Sequence, residues 1–218
     1  ELDNNSGGGI SIRGNGIIVE QNIIRHNRAG RGGAISAVGE NNIIRNNIID
    51  DNWANSDNGG GLYIFGNILV EKNIISNNRV GVLAGYGWGG GAIFLATGEN
   101  AAISRYNIYK NNMAPTYGGG VFADEGATLE MHHDLVIRNF TQCASHGGGG
   151  IAVDESWDQI PSYVLLNHCT VAFNYNTQGG TGNGLYVDQH SGAVVQNSIF
   201  YGNGNDFAVA PTSSLDIT

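Results

Sequence analysis

One asparagine column constrains this chain more than any other feature. Asn27, Asn52, Asn78, Asn112, Asn139, Asn174 and Asn203 recur in the same local frame, and the frame repeats seven times. Each copy opens with glycines and then an apolar residue: Ile10, Ile35, Leu62, Ile93, Val121, Ile151 and Leu185, separated by 25, 27, 31, 28, 30 and 34 residues. A further column, five positions before the invariant Asn, reads Asn22, Asn47, Asn73, Asn107, Asp134, Cys169 and Ser198. Registered columns at this period are the mark of a solenoid.

The copies lack the Leu-x-x-Leu-x-Leu pattern of leucine-rich repeats. They also lack the long Gly-free and Asn-free stretches that helical repeats require. What they contain is short apolar segments between turn residues. Ile10-x-Ile12, Leu62-x-Ile64 and Ile151-x-Val153 alternate with the period of a strand. A second segment covers Ile17 to Val19, and a third follows the first Asn column, as in Ile23-Ile24 and Ile48-Ile49. Three short strands per coil, stacked in parallel, predict an all-β parallel solenoid with three sheets. It has about seven complete coils and a partial eighth, in one domain over 1–218. At about 4.8 Å per coil, seven coils make a rod on the order of 34 Å long. An Asn turned inward at each bend can pair with backbone groups that a tight turn leaves unsatisfied, and with the amide in the next coil. The invariant column therefore predicts a buried amide ladder.

The G-G-G-I-x-I starts and N-I-I-x-x-N frames resemble the right-handed parallel β-helix, or pectate-lyase-like, superfamily. They are closest to the parallel β-helix repeats of secreted and surface proteins. The resemblance covers nearly the whole chain. It implies an extracellular or cell-surface setting and a polysaccharide or glycan partner. Members include lyases, hydrolases and epimerases, and also large exoproteins without chemistry. No lyase set of lysine, arginine and calcium-binding carboxylates maps onto this chain, nor do the Asp-rich signatures of pectin hydrolases. Two roles therefore remain open: interaction with or processing of carbohydrate, including acidic polysaccharide, and a non-catalytic structural or adhesive module. Ice binding ranks below both, because regular T-x-T rows are absent.

Charge narrows the partners. The formal net charge is -9, with 19 acidic against 10 basic residues, which disfavours nucleic acid. No apolar run approaches a membrane span. Neither end reads as an amphipathic cap. The expectation is a domain from a longer exoprotein, or self-association through uncapped ends.

Stacking turns sequence columns into surface rows. The residue between the first two apolar positions should point outward: Ser11, Ser36, Tyr63, Phe94, Phe122, Ala152 and Tyr186. Tyr63, Phe94 and Phe122 would form either a flat sugar-binding stripe or an aromatic shield over the sheet. Two residues further on lie Asp124, Asp154 and Asp188 in successive coils, with Glu125 and Glu155 beside them. Asp124 and Asp154 are the candidate acid–base pair, with His133 as a reserve base. The same acids, Asp124, Glu125, Asp154 and Asp188, could instead bind calcium, or be solvated turn acids fanned apart by unequal loops. Arg105 and Arg138 are candidates for pairing with a uronate carboxylate. The row Glu20, Arg45, Glu71 and Arg105 alternates in charge and reads as structural. Insertions fall in coils three to six and bring Trp88, Tyr117, His146, Trp157 and Tyr163, a candidate wall beside the sheet.

Overall fold

The computed structural model describes residues 5–81, 89–96 and 101–218; the side chains of 94–96 lie outside that description. Among the described residues every regular element is a β-strand, and every pairing between strands is parallel. The first sheet stacks eight strands in chain order, from Ile10–Arg13 and Ile35–Val38 to Leu185–Val187 and Phe207–Val209. The second also has eight, from Ile18–Glu20 to Ser214–Ile217. The third has seven, from Ile23–Arg25 to Ile199–Tyr201. These counts give seven coils and a partial eighth, as expected.

One detail departs from the three-sheet expectation. A fourth, six-stranded sheet follows the invariant Asn in each coil, beginning with Arg28–Ala29 and ending with Tyr175–Asn176. Each strand is only two residues long, too short for alternation to announce it. It forms because glycines after it let the chain approach its neighbours closely. Gly118 has φ +54°, and a Cβ there would strike the Val121 carbonyl. A Cβ on Gly119 would strike the carbonyl of Phe140 in the next coil's short strand.

The register matches the sequence columns residue for residue. Ile10 pairs with Ile35, Ile93 with Val121, and Ile151 with Leu185. The inward positions fill one continuous core that includes Ile35, Ile64, Ile75, Leu129, Val136 and Leu166, all essentially inaccessible. The charge row also forms: Arg45 Nε lies 2.7 Å from Glu20 Oε2, and Arg105 Nη2 lies 2.8 Å from Glu71 Oε2. Arg105 is thus held in a structural ion pair, which answers the uronate expectation for it.

The amide ladder is continuous. Asn78 Oδ1 accepts from Asn52 N at 3.0 Å and Asn52 Nδ2 at 2.9 Å. Asn78 Nδ2 donates to Ile49 O at 3.0 Å and to Asn112 Oδ1 at 3.1 Å. The pattern runs on through Asn139, Asn174 and Asn203. The residue before each ladder Asn adopts a left-handed backbone: His26, Asp51, Asn77, Asn111, Arg138 and Phe173 at φ 50–59°, and Gly202 at φ 68°. That conformation costs about 1–2 kcal/mol per non-glycine residue. The ladder offsets it by satisfying the turn it creates.

The first Asn column carries an acid in its fifth coil. Asp134 Oδ1 accepts from Asn107 N at 2.7 Å, and Oδ2 accepts from the Ser104 hydroxyl at 2.7 Å. Burial pushes its carboxyl up to about 7, against the pull of the Ser104 and Asn107 donors. A carboxyl raised in the fold stabilises at low pH, and that contribution is lost as pH rises from about 4 through 7. Asp134→Asn restores the amide and removes the titration. Its stability relative to wild type should grow by roughly 2–3 kcal/mol between pH 5 and pH 8.5, read by urea unfolding at both. Equal pH dependence in the two proteins would refute this.

Candidate functional site

The groove is built where the first sheet ends in coils five to seven. Asp124 closes the strand Val121–Asp124, while Asp154 and Asp188 directly follow Ile151–Val153 and Leu185–Val187. Backbone pairing carries the row forward: Asp154 N donates to Ala123 O at 3.0 Å and Asp188 N to Val153 O at 2.8 Å. All three share one local geometry. Each Oδ1 accepts the next residue's N–H, from Glu125 at 2.7 Å, Glu155 at 2.8 Å and Gln189 at 3.0 Å. The chain leaves the sheet identically in each coil, so the carboxyls stack.

Asp124 and Asp154 open on a cavity of about 690 Å³ whose lining includes Asp57, Tyr117, Glu125, His146 and Trp157. Glu155 and Asp57 have partners already: Glu155 Oε2 lies 2.9 Å from His190 Nδ1, and Asp57 Oδ2 lies 3.4 Å from Arg31 Nε. Among the described residues no cation forms an ion pair with Asp124 or Asp154, and both carboxyls are raised. Burial first, then the charges of Asp154 and Glu125, push the Asp124 carboxyl up to about 8. Burial first, then the Asp188 charge, push Asp154 up to about 7. Two neighbouring carboxyls of one cavity are thus held well above the usual carboxylate range.

The roof comes from the insertions. Tyr117 stacks on Phe122 at 5.2 Å and 4° and sits 6.2 Å from Tyr186. Together with Ala152 they form a small apolar cluster on the outer face of the first sheet, apart from the main core. His146 leans over it, anchored by Asn176 Nδ2 donating to His146 O at 3.1 Å. Tyr117 and His146 read in the sequence only as wall residues. Their role at the carboxyls depends on the path of two loops, which no spacing encodes.

Several expected site residues fall elsewhere. Phe122 is fully buried beneath Tyr117, so it cannot offer a ring to a sugar; the outward row is an internal shield at this coil. Tyr63 is half-buried, with the Arg31 guanidinium 5.1 Å from its ring. The side chain of Phe94 and all of Trp88 lie outside the described residues. Trp157 is 93% exposed at the rim of the groove. His133 occupies the corner between the second and third sheets, stacked between Tyr106 at 4.9 Å and His168 at 5.0 Å. It is not beside Asp124 and Asp154, because a residue at that column faces a different side of the coil. Arg138, exposed in the turn after the third sheet, is likewise off the groove. Asp124, Glu125, Asp154 and Asp188 do not come together as calcium would require: among the described residues no group of three or more His, Cys, Asp or Glu is arranged to hold a metal ion.

A model of the right handed beta helix region matches residues 1–158. No curated protein and no solved structure matches the chain.

Proposed function

The chain belongs to the right handed beta helix family, and from that premise we propose that the groove binds and cleaves a glycan chain by carboxyl acid–base chemistry. Proteins of this fold are often carbohydrate-related. The observation that carries the reading is the pair Asp124 and Asp154, raised to about 8 and about 7 in adjacent coils of one cavity. A general acid for a glycosidic oxygen must hold a proton at working pH, next to a carboxylate that does not. Adjacent coils separate equivalent carboxyls by about 5 Å, the spacing of retaining rather than inverting enzymes. In this reading the protonated member donates to the leaving oxygen. The ionised member attacks the anomeric carbon, and water then releases the sugar.

The charges favour a neutral glycan over the acidic one that the fold resemblance implies. Among the described residues the groove lining contains no Lys or Arg to meet a uronate. Arg105 and Arg138, the candidates for that task, lie off the groove. A glycan substrate agrees with a secreted or surface setting, and that setting belongs to the proposal.

Trp157 offers the sugar-stacking face that Phe122 does not. Trp157→Ala should weaken glycan affinity by up to about tenfold and leave the circular dichroism unchanged. The test is a glycan array, calorimetry on the hits and product analysis on neutral and acidic polysaccharides. Binding to no glycan would remove the reading in favour of a structural or adhesive module. Binding without products would remove the catalytic part alone.

A further inference from the structure

Tyr117 is 3% exposed, and its hydroxyl meets His146, Asp188 and Asp154. Asp188 Oδ2 lies at 3.1 Å and His146 Nδ1 at 2.8 Å. His146 Nδ1 is also 3.6 Å from the same Asp188 oxygen. A phenol has one proton to give. Given to His146, it would leave the Tyr117 oxygen facing an ionised Asp188 oxygen with no proton between them. The order that satisfies all three groups runs one way: His146 Nδ1–H donates to the Tyr117 oxygen, and Tyr117 O–H donates to Asp188. The His146 side chain is 35% exposed, whereas Tyr117 and Asp188 are buried. The chain of bonds thus leads from the surface to the carboxyl stack, and Tyr117 is also a hydrogen-bond neighbour of Asp154.

We propose that His146, Tyr117 and Asp188 form a proton relay between solvent and the carboxyls of the groove. The proposal rests on the acid–base reading above, in which the acid must regain its proton after each cleavage. An imidazolium at His146 gives its Nδ1 proton to the Tyr117 oxygen while the Tyr117 hydroxyl proton moves to Asp188 Oδ2. Imidazolium and carboxylate become imidazole and carboxylic acid, and the net charge is unchanged. Tyr117 ends as it began, a neutral phenol. Burial, then the Asp154 and Asp188 charges, hold its pKa far above the usual phenol value, so it passes a proton without becoming phenolate. His146 keeps its other proton on Nε2, so the relay resets when the ring turns its bare Nδ1 to water and takes a proton there, and the Tyr117 hydroxyl turns back to Asp188. Asp154, one coil from Asp188 and coupled to its charge, receives the proton. Tyr117 and His146 are then relay residues, and the stacking of Tyr117 on Phe122 keeps the hydroxyl in line.

The relay is tested without a substrate by nitrogen-15 NMR of the imidazoles in the full chain. In wild type at neutral pH, His146 should carry its proton on Nδ1. That proton should exchange with water at least tenfold more slowly than those of the exposed His133 and His168. In Tyr117→Phe the exchange should accelerate tenfold or more, with unchanged circular dichroism. An unprotonated His146 Nδ1 in wild type, or unchanged exchange in Tyr117→Phe, overturns the relay. Should Tyr117→Phe fail to fold, His146→Ala serves instead: it should speed exchange of the Tyr117 hydroxyl proton tenfold or more, and no change overturns the relay. On a glycan that the protein cleaves, Tyr117→Phe should lower kcat roughly tenfold or more with KM within about twofold. Undiminished kcat also overturns it. Because the NMR result needs no glycan, loss of the relay leaves the glycan reading standing, and absence of glycan cleavage leaves the measured hydrogen-bond order standing.

Discussion

Asn78→Leu is expected to lower the unfolding free energy by about 3 kcal/mol or more, or roughly 6–12 °C in Tm for a chain of this size. Leucine has the branched shape of asparagine and is larger, so the site does not open a cavity. The cost comes from polar groups. Asn52 N and Nδ2 lose their shared acceptor, and Ile49 O loses its donor. Asn112 Oδ1 keeps the bond from Asn78 N at 2.9 Å but loses the one from the side chain. Every one of these bonds is buried, so water cannot replace it without opening the coil. Each orphaned group costs about 1–3 kcal/mol. Differential scanning calorimetry gives the answer directly, and a Tm within error of wild type would show that the inward amide contributes nothing. The left-handed residue before each ladder Asn makes the prediction sharper, since its strain persists when the bonds that offset it are gone.

Asp154→Asn should lower turnover of a cleaved glycan by about 10²–10⁴-fold while changing binding little. The amide keeps the shape of the carboxyl and can still accept the Glu155 N–H at Oδ1. It cannot take or give the proton. The same change removes a carboxyl whose raised pKa, about 7, makes the fold less stable as pH rises through that value. The variant should therefore be no less stable than wild type above neutral pH, and a fall in activity cannot be assigned to unfolding. Steady-state kinetics with calorimetry on the same preparation separates the two effects. Turnover within about threefold of wild type would sink the assignment. Asp124→Asn is expected to behave alike, and the double variant should lose little more than either single one, because the two groups act as a unit. His133→Gln should leave turnover unchanged, since His133 stacks with Tyr106 and His168 at another corner.

What could be read from residues alone follows the repeat. The Ile10, Ile35, Leu62 column became the register of the first sheet, and Glu20–Arg45 and Glu71–Arg105 became ion pairs. The Asn27 to Asn203 column became the ladder. Each of these depends only on a residue's place within its own coil and on the same place in the next. In a stacked coil that place fixes its environment. The row Asp124, Asp154 and Asp188 was legible for the same reason: it lies at the end of a strand, or directly after it, and the pattern defines that strand's register.

The fourth sheet escaped because two-residue strands leave no period to detect. The aromatic row was misjudged for a different reason. Position within the coil correctly turned Phe122 out of the main core, but whether an outward residue meets water depends on what lies above it. Tyr117 arrives there from an insertion and covers it. The same insertion puts the Tyr117 hydroxyl between His146 and Asp188, residues 29 and 71 positions away in sequence. The sequence by itself determined the coil, its register and the stacked carboxyls, because those follow from nearest-neighbour repetition. Only the tertiary structure decided which outward residues are covered and which loops reach the carboxyls. Insertions follow no repeat, and their paths are set by long-range packing and hydrogen bonds that each loop makes once.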